Sequence, residues 1–318
     1  MTTIFFDPPM TDQERRTRLY SGAVMVFSQR PETRALCEHA RAMIEEAFAP
    51  HDPLTVHEHM PVESCVAILA ELKPRFIHHP RSKELIQAVL GSFGCDLDET
   101  FFDVPRLRTA MPRDYLASGI AYAFHPHRDT WYSAPPCQLN WWLPIYEVLP
   151  ENGLAFHSRY WSQPVANGSR HYNYYRWNLE SRASAALHVR SDTRVQPRPE
   201  EMVQRESEFR PICPPGGTIL FSGAQLHETV PNTTNVVRYS IDFRTVHRAD
   251  VAARRGAPNV DSACTGTTLR DFIRTDDFAR LPEELVAPYD GEVPPDGVLI
   301  FQASAGSAAG SAADSATA

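Results

Sequence analysis

The chain has 318 residues and a formal net charge of −8 at pH 7, with 42% hydrophobic and 22% charged residues. This length can bury a large core, and the composition is close to that of soluble globular proteins. The acidic balance disfavours a general affinity for nucleic acid or for an anionic membrane surface. We therefore expect a globular protein without a nucleic-acid or membrane partner, and the sequence leaves the oligomeric state open.

The N-terminal residues and the cysteines predict a cytoplasmic protein. The first residues lack the basic segment, apolar core and cleavage site of a signal peptide. No window has the roughly 18 apolar residues that cross a bilayer. The six cysteines are scattered without a Cys-x-x-Cys pair, which is typical of reduced thiols and not of a disulfide framework.

Residues 1–100 are predicted to be mainly helical. Apolar residues recur at helical spacing from Pro31 to Phe48, from Val62 to Leu72 and from Ser82 to Phe93. None of these segments carries an evident chemical motif. We expect them to form a buttress against one face of a sheet.

From about Phe101 the pattern changes to short β-like runs separated by turn residues. The predicted strands are Gln138 to Val148, Leu154 to Phe156, Thr218 to Ser222 and Val236 to Val246, with an Asn-Gly hairpin signal at 152–153. Many short strands without alternating helices are typical of an antiparallel barrel or sandwich. The predicted fold class is mainly β with α: a double-stranded β-helix (jelly-roll) core over 101–250, buttressed by the N-terminal helices.

Three further segments complete the predicted organisation. An insertion at 157–210 is rich in Tyr, Trp and Arg. Long insertions are functional lids or disordered segments, and the aromatic content favours an ordered lid. Residues 251–302 are predicted to be helical or irregular, and the Ala/Ser/Gly-rich residues 303–318 are predicted to be a disordered tail.

His127-Arg128-Asp129 is the motif with the most chemical content. Together with His227 it offers two imidazoles and one carboxylate, a ligand set that suits Fe(II) and leaves one face of the metal open. On a strand, His127 and Asp129 would point to the same face. His227 follows a predicted strand and a turn of small residues. We therefore predict that these three residues bind a metal ion.

Arg238 lies on the next predicted strand after His227. It shares a face with Ser240, and the two could bind one carboxylate through a charge-assisted pair and a hydroxyl hydrogen bond. Arg244 shares the same face and is the alternative cation. The other interpretation is that Arg238 is a solvated strand residue.

Two other kinds of protein remain open at this stage. His125-Pro126-His127 could belong to a cupin-type metal enzyme that uses no keto acid, although the glutamate of such a site is missing and Pro126 disfavours a regular strand. A jelly-roll protein that binds or senses a metal without turnover is the second alternative.

The motifs resemble those of the phytanoyl-CoA dioxygenase-like branch of the Fe(II)/2-oxoglutarate oxygenases, over roughly residues 120–246. The resemblance is carried by His127-x-Asp129, by the segment 142–153, and by the segment from Gly217 through His227 to Arg238. It implies that His127, Asp129 and His227 hold Fe(II). It also implies that Arg238 anchors the distal carboxylate of 2-oxoglutarate, with O2 as the oxidant and succinate and CO2 as products. In related halogenases a small residue replaces the carboxylate, so the presence of Asp129 argues against halogenation.

The expected reaction is hydroxylation of a small-molecule metabolite or biosynthetic intermediate. Desaturation, epoxidation and ring closure use the same chemistry and stay open, and a coenzyme A thioester is not implied. Asn140 and Trp142 are candidate cosubstrate contacts, although adjacent tryptophans are more often core residues. Candidate substrate contacts, each with a solvent-facing position as its alternative, are Tyr132, Arg159, Tyr174 and Arg176.

Overall fold

The structure is a computed structural model that describes residues 2–122, 125–182, 184–189 and 191–291. The predicted tail at 303–318 and residues 292–302 lie outside this range. The α-helices are α1 Asp12–Tyr20, α2 Pro31–Phe48, α3 Val56–His59, α4 Val62–His78, α5 Pro80–Ser92, α6 Tyr174–Trp177, α7 Arg248–Ala252 and α8 Glu283–Asp290. The strands are β1 Ile4–Phe6, β2 Val24–Phe27, β3 Thr100–Phe102, β4 Arg106–Ala110, β5 Leu139–Pro144, β6 Leu154–His157, β7 Glu208–Phe209, β8 Thr218–Ser222, β9 His227–Thr229, β10 Arg238–His247 and β11 Ile273–Arg274.

The three predicted N-terminal helices are confirmed as α2, α4 and α5. Helix α2 begins with Pro31 in its first turn, where a proline loses no helical hydrogen bond. The region is mainly helical, as predicted, but it also contains β1 and β2, which the sequence analysis did not predict and which join the main sheet. The two strands have three and four residues, too short to show a clear strand period in the sequence.

Within the described residues, eight strands form the larger sheet. Strand β10 is its longest member and lies at its centre. One edge of β10 pairs antiparallel with β5, and the other edge pairs with β4 and then with β3. Beyond β5 the sheet continues through β8 and β2 to β1. Residues that alternate along β5 and β10 therefore lie side by side on the same face.

The smaller sheet has the order β7-β6-β9 among the described residues, with antiparallel pairing. The Asn-Gly segment at 152–153 was predicted to close a hairpin between β5 and β6, and this was wrong, because those strands belong to different sheets. Asn152 does form a turn, in which its side chain accepts a hydrogen bond from the backbone N–H of Leu149 at 2.9 Å. That turn connects the two sheets.

The two faces of the larger sheet pack against different partners. Trp141, Leu143 and Tyr239 face the N-terminal helices in the main hydrophobic core. Trp142 and Phe221 face the other way and pack with Leu154 and Phe156 of the smaller sheet. The predicted alternation along β5 is thus confirmed, and polar residues at the same parity line the space between the sheets. The result is a strand-rich core with helices on one side.

In its described parts, the insertion at 157–210 has short helical turns between residues 158 and 187, irregular chain from 191 onward, and strand β7 near its end. Tyr172, Tyr174 and Tyr175 are buried. The hydroxyl groups of Tyr174 and Tyr175 donate hydrogen bonds to Asp271 and Asp290 in the C-terminal part of the chain. No helix among the described residues is long and apolar enough to span a bilayer.

Candidate metal centre

The backbone places His127 directly beside His227, a hundred positions later in the chain. The N–H of each residue donates to the carbonyl oxygen of the other at 2.9 Å, in an isolated antiparallel bridge. The two imidazole centroids lie 4.3 Å apart. Both side chains are 6% exposed, so they meet in a buried space between the sheets.

Asp129 lies in the same buried space, but in a backbone conformation that the sequence did not predict. It was expected to lie on a strand with His127, but it begins the 3-10 turn Asp129–Tyr132. Its N–H donates to the carbonyl oxygen of Gly223 at 2.8 Å, which fixes the turn against the segment that leads to His227. A Cβ at Gly223 would lie 3.3 Å from that of Asp129, so the close approach favours glycine there.

The three side chains present one potential ligand atom each, and these atoms all lie within 4.8 Å of one another. Nδ1 of His127 donates to the carbonyl oxygen of His125 at 2.8 Å, and Nδ1 of His227 donates to that of Gln225 at 3.0 Å. These contacts fix the tautomer in which Nε2 carries the lone pair. Nε2 of His127 lies 3.5 Å from Oδ1 of Asp129.

The second oxygen of Asp129 is held by two amides of β5 and of the residue before it. Oδ2 accepts hydrogen bonds from Nε2 of Gln138 at 2.9 Å and from Nδ2 of Asn140 at 2.7 Å. Burial acts to raise the pKa of Asp129, but its close contact with His127 and the charge of Arg244 outweigh that effect, so the pKa is lowered. The carboxylate is thus ionised and oriented, with Oδ1 toward the two imidazoles.

Arg128, the middle residue of the motif, is buried beside the site and contacts several other segments of the chain. It is 1% exposed and forms an ion pair with Asp261. Its guanidinium also donates to the carbonyl oxygens of Ala224, Tyr160 and Gln163. This residue therefore joins the turn before His227, the insertion and the C-terminal segment. Sequence reasoning missed this role, because its partner lies more than a hundred residues away.

Arg238 lies on β10 in the same cavity as the three candidate ligands. Its Nε donates to the carbonyl oxygen of Asn152 at 3.1 Å, and its Nη1 donates to Oγ of Ser240 at 2.6 Å. In the part of the chain that the structure describes, it forms no ion pair with a carboxylate. Burial lowers the pKa of Arg238 to about 10. Ser240 is fully buried and holds the guanidinium, but it is not among the residues that line the cavity.

Arg244, the alternative cation, is already neutralised. It forms ion pairs with Asp103 at 3.3 Å and Asp242 at 3.4 Å, and its Nε lies 3.8 Å from Oδ2 of Asp129. Burial acts to lower its pKa, but Asp242, Asp103 and Asp129 outweigh that effect and raise it. Arg238 is therefore the better candidate for binding an added carboxylate.

The site opens into a cavity of about 640 Å³. Asn140, Trp142, Tyr132 and Tyr174 line it, as the sequence interpretation expected. Arg159 and Arg176 do not line it. Both are exposed to solvent, which is the alternative position that the sequence analysis left open for them. In the turn Tyr174–Trp177, residues 174 and 177 face inward and Arg176 faces solvent.

His125, the residue that a cupin-type site would use, is occupied elsewhere. Its Nε2 donates to the carbonyl oxygen of Pro197 at 2.7 Å, and its Nδ1 accepts from the hydroxyl of Tyr122 at 2.9 Å. It does not belong to the group of three converging ligand atoms. The geometry therefore disfavours a centre built on His125 and His127.

A second group with metal-ligand chemistry is formed by His157, Glu208 and Glu228 on the smaller sheet. Nε2 of His157 donates to Glu228 at 3.1 Å, and Arg205 pairs with Glu228 at 2.8 Å. Arg210 pairs with Glu208 at 2.5 Å. Because arginines already neutralise both carboxylates, this group is better explained as an ion-pair cluster.

Comparisons with known proteins give structural neighbours only. No family model matches the chain, and no curated protein matches it. EvdO2 from Micromonospora carbonacea var. aurantiaca, solved with 2-oxoglutarate, is 14% identical with a TM-score of 0.44, over 75% of this chain and 91% of that one. The non-heme monooxygenase ThoJ is 11% identical with a TM-score of 0.40, over 86% and 82% of the two chains.

The epimerase SnoN, solved with Fe3+, alpha ketoglutarate and nogalamycin RO, is 12% identical with a TM-score of 0.38, over 74% of this chain and 85% of that one. ThoJ is thus described as a non-heme monooxygenase and SnoN as a non-heme, alpha ketoglutarate dependent epimerase. At such low TM-scores the similarity does not establish a shared fold, so the chemistry of this site depends on its own geometry.

Proposed function

We propose that this protein is an Fe(II)- and 2-oxoglutarate-dependent dioxygenase of the phytanoyl-CoA dioxygenase-like kind, with a double-stranded β-helix core. Its substrate would be a small molecule, and the proposed reaction is hydroxylation. The observation that carries the proposal is the convergence of His127, Asp129 and His227, whose three ligand atoms lie within 4.8 Å of one another. Two neutral imidazoles and one carboxylate on one side of a metal suit Fe(II) and leave positions open.

The described residues fit this metal in two further respects. The backbone carbonyls at His125 and Gln225 orient the imidazoles, and the amides of Gln138 and Asn140 orient the carboxylate. Supporting contacts of this kind are typical of metal centres. When bound, iron would supply O2 activation coupled to decarboxylation of 2-oxoglutarate to succinate and CO2.

The chain's own residues would bind and orient the cosubstrate. Arg238 offers a buried guanidinium, already held by Asn152 and Ser240, to the distal carboxylate. Arginine suits this task because its planar donors match a carboxylate. Trp142 lies beside Arg238, with its ring centroid 5.7 Å from the guanidinium carbon, and helps to exclude water.

A cavity of about 640 Å³ favours turnover over metal sensing, because it holds more than a metal and a keto acid. A cytoplasmic location is part of the proposal and is supported by the free thiols of all six cysteines.

The test is an anaerobic titration of the protein with Fe(II) and then 2-oxoglutarate, followed by the visible charge-transfer absorption of the iron–keto acid chelate. We expect the band in the wild type and its loss in Asp129→Ala, which should lose iron binding. Arg238→Gln should keep iron binding but require about 10- to 100-fold more 2-oxoglutarate, since a hydrogen bond to a charged group is worth about 1.5–3 kcal/mol. Iron binding without any chelate band would instead support a metal-binding protein without turnover.

A further inference from the structure

Three hydrogen-bond donors come from residues 177–182 of the insertion, which line part of the cavity. They are Nε1 of Trp177, Nδ2 of Asn178 and the guanidinium of Arg182, and all three residues line the cavity. We call them the donor cluster. They come from α6 and from the π-helical turn Asn178–Arg182 that follows it. Such turns are rare and often occur at functional sites.

These donors have almost no acceptors among the described residues. Nε1 of Trp177 and Nδ2 of Asn178 are buried and meet no hydrogen-bond partner there. Arg182 makes one hydrogen bond, from Nη1 to Oδ1 of Asn178 at 3.1 Å, and forms no ion pair within the same residues. That contact uses Oδ1 of Asn178 and leaves Nδ2 without a partner among the described residues. Because buried donors in native proteins are nearly always paired, the donor cluster indicates a missing acceptor.

The charges that line the cavity show which kind of acceptor fits. Seven cationic and three carboxylate side chains line it, although the whole chain has a net charge of −8. Most of these arginines are paired, as Arg106 is with Asp103 and Arg108 is with Asp242. Arg182 and Arg238 are not. The proposed function assigns Arg238 to 2-oxoglutarate, which leaves Arg182 for a second anion.

A row of aromatic rings connects the metal centre with the donor cluster. The ring of Tyr132 lies 5.5 Å from that of His127, and Tyr172 lies 5.3 Å from Tyr132. Trp177 follows at 6.2 Å from Tyr172. These rings line the cavity together with the donor cluster. They offer an apolar wall along which a planar or hydrocarbon body can pack.

We propose that the donor cluster binds an anionic group of the substrate, a carboxylate or a phosphate, while the apolar or aromatic body of the same molecule lies along Tyr172 and Tyr132 toward the metal centre. The substrate class is thus an organic acid that is bound at the end remote from its oxidised carbon. This inference rests on the proposed function for the metal centre and adds the substrate class to it.

The test measures binding of model acids to metal-free protein by isothermal titration calorimetry. The probes are phenylbutyrate, phenyl phosphate and the neutral phenylbutanol. The variant is Arg182→Gln, and its matched control is Arg176→Gln, which changes an exposed arginine of the same insertion. Arg238→Gln shows whether the acids bind at the cosubstrate position instead.

We expect saturable binding of at least one acid to the wild type, weakened about 10- to 100-fold by Arg182→Gln, as for loss of a charge-assisted hydrogen bond. Arg176→Gln and Arg238→Gln should leave that affinity within about twofold, and phenylbutanol should bind equally to all variants. If Arg182→Gln does not fold, Asn178→Asp, which adds a competing carboxylate, should cause the same loss.

Three results would overturn the proposal: no binding of either acid, equal binding of acid and alcohol, or a loss caused by Arg238→Gln in place of Arg182→Gln. Because the probes are titrated into metal-free protein, their binding does not depend on iron. The two proposals therefore fail separately: the proposed function fails on the chelate band, and the donor cluster fails on the acids.

Discussion

Asn140→Leu removes one of the two amides that hold Asp129 and keeps a side chain of similar volume. Asn140 is 5% exposed, and its Nδ2 lies 2.7 Å from Oδ2 of the carboxylate. A hydrogen bond to a charged group contributes about 1.5–3 kcal/mol. Loss of such a contact behind a metal ligand weakens metal binding by about 10- to 100-fold. We therefore expect the dissociation constant for a divalent metal to rise by that factor.

The assay is titration with Mn(II), a stand-in that is stable in air, with the free ion measured by its electron paramagnetic resonance signal. Gln138→Met should weaken binding similarly, because Nε2 of Gln138 is the other donor to Oδ2. Asn232→Leu is the matched control: it removes a buried amide that donates to Ala110 and Val236, away from Asp129. If Asn140→Leu folds cooperatively and still binds Mn(II) within twofold of the wild type, the proposed orientation of Asp129 is refuted.

Two further predictions concern stability in the metal-free protein. Arg128→Met should lower the free energy of unfolding by about 3–5 kcal/mol, because it leaves Asp261 as a buried charge without its cation. Urea denaturation measures this loss, with Arg176→Gln as the control variant. A loss below about 1 kcal/mol would contradict the prediction. Burial lowers the pKa of Lys73 from 10.5 to about 7. Between these pH values the amine of Lys73 is mostly protonated in the unfolded chain and mostly neutral in the folded protein. The free-energy cost of burying Lys73 therefore falls as the pH rises from 7 to 10.5. Lys73→Met should therefore be more stable than the wild type at pH 7, with an advantage that shrinks by up to about 1.4 kcal/mol per pH unit on the way to pH 10. An advantage that stays constant over this range would show that the ammonium group is not the cause.

The sequence predicted the metal centre better than its surroundings. His127, Asp129 and His227 could be selected because their residue types and order match a known ligand pattern, even though Asp129 lies on a turn and not on the expected strand. Arg238 was selected by its position on the predicted strand after His227 and by the family resemblance. In contrast, the partnership of Arg128 with Asp261 depends on a contact between distant segments. No local pattern in the sequence indicates such a contact.

The same distinction applies to the fold and to the insertion. Long amphipathic helices such as α2 are evident from their period, whereas β1 and β2 are too short to show one. The Asn-Gly signal at 152–153 correctly indicated a turn but could not indicate that the flanking strands join different sheets. Arg159, Arg176 and Arg182 all lie in the insertion. Their orientations depend on irregular turns, so sequence alone did not separate the inward-facing Arg182 from the two exposed arginines.

The central claim is that one metal ion binds between His127, Asp129 and His227. The most direct measurement is an anomalous difference map at the iron absorption edge, from crystals grown without oxygen in the presence of Fe(II). We expect one strong peak within bonding distance of Nε2 of both histidines and of Oδ1 of Asp129. A peak at His157, Glu208 and Glu228, or no peak between the three predicted ligands, would contradict the assignment.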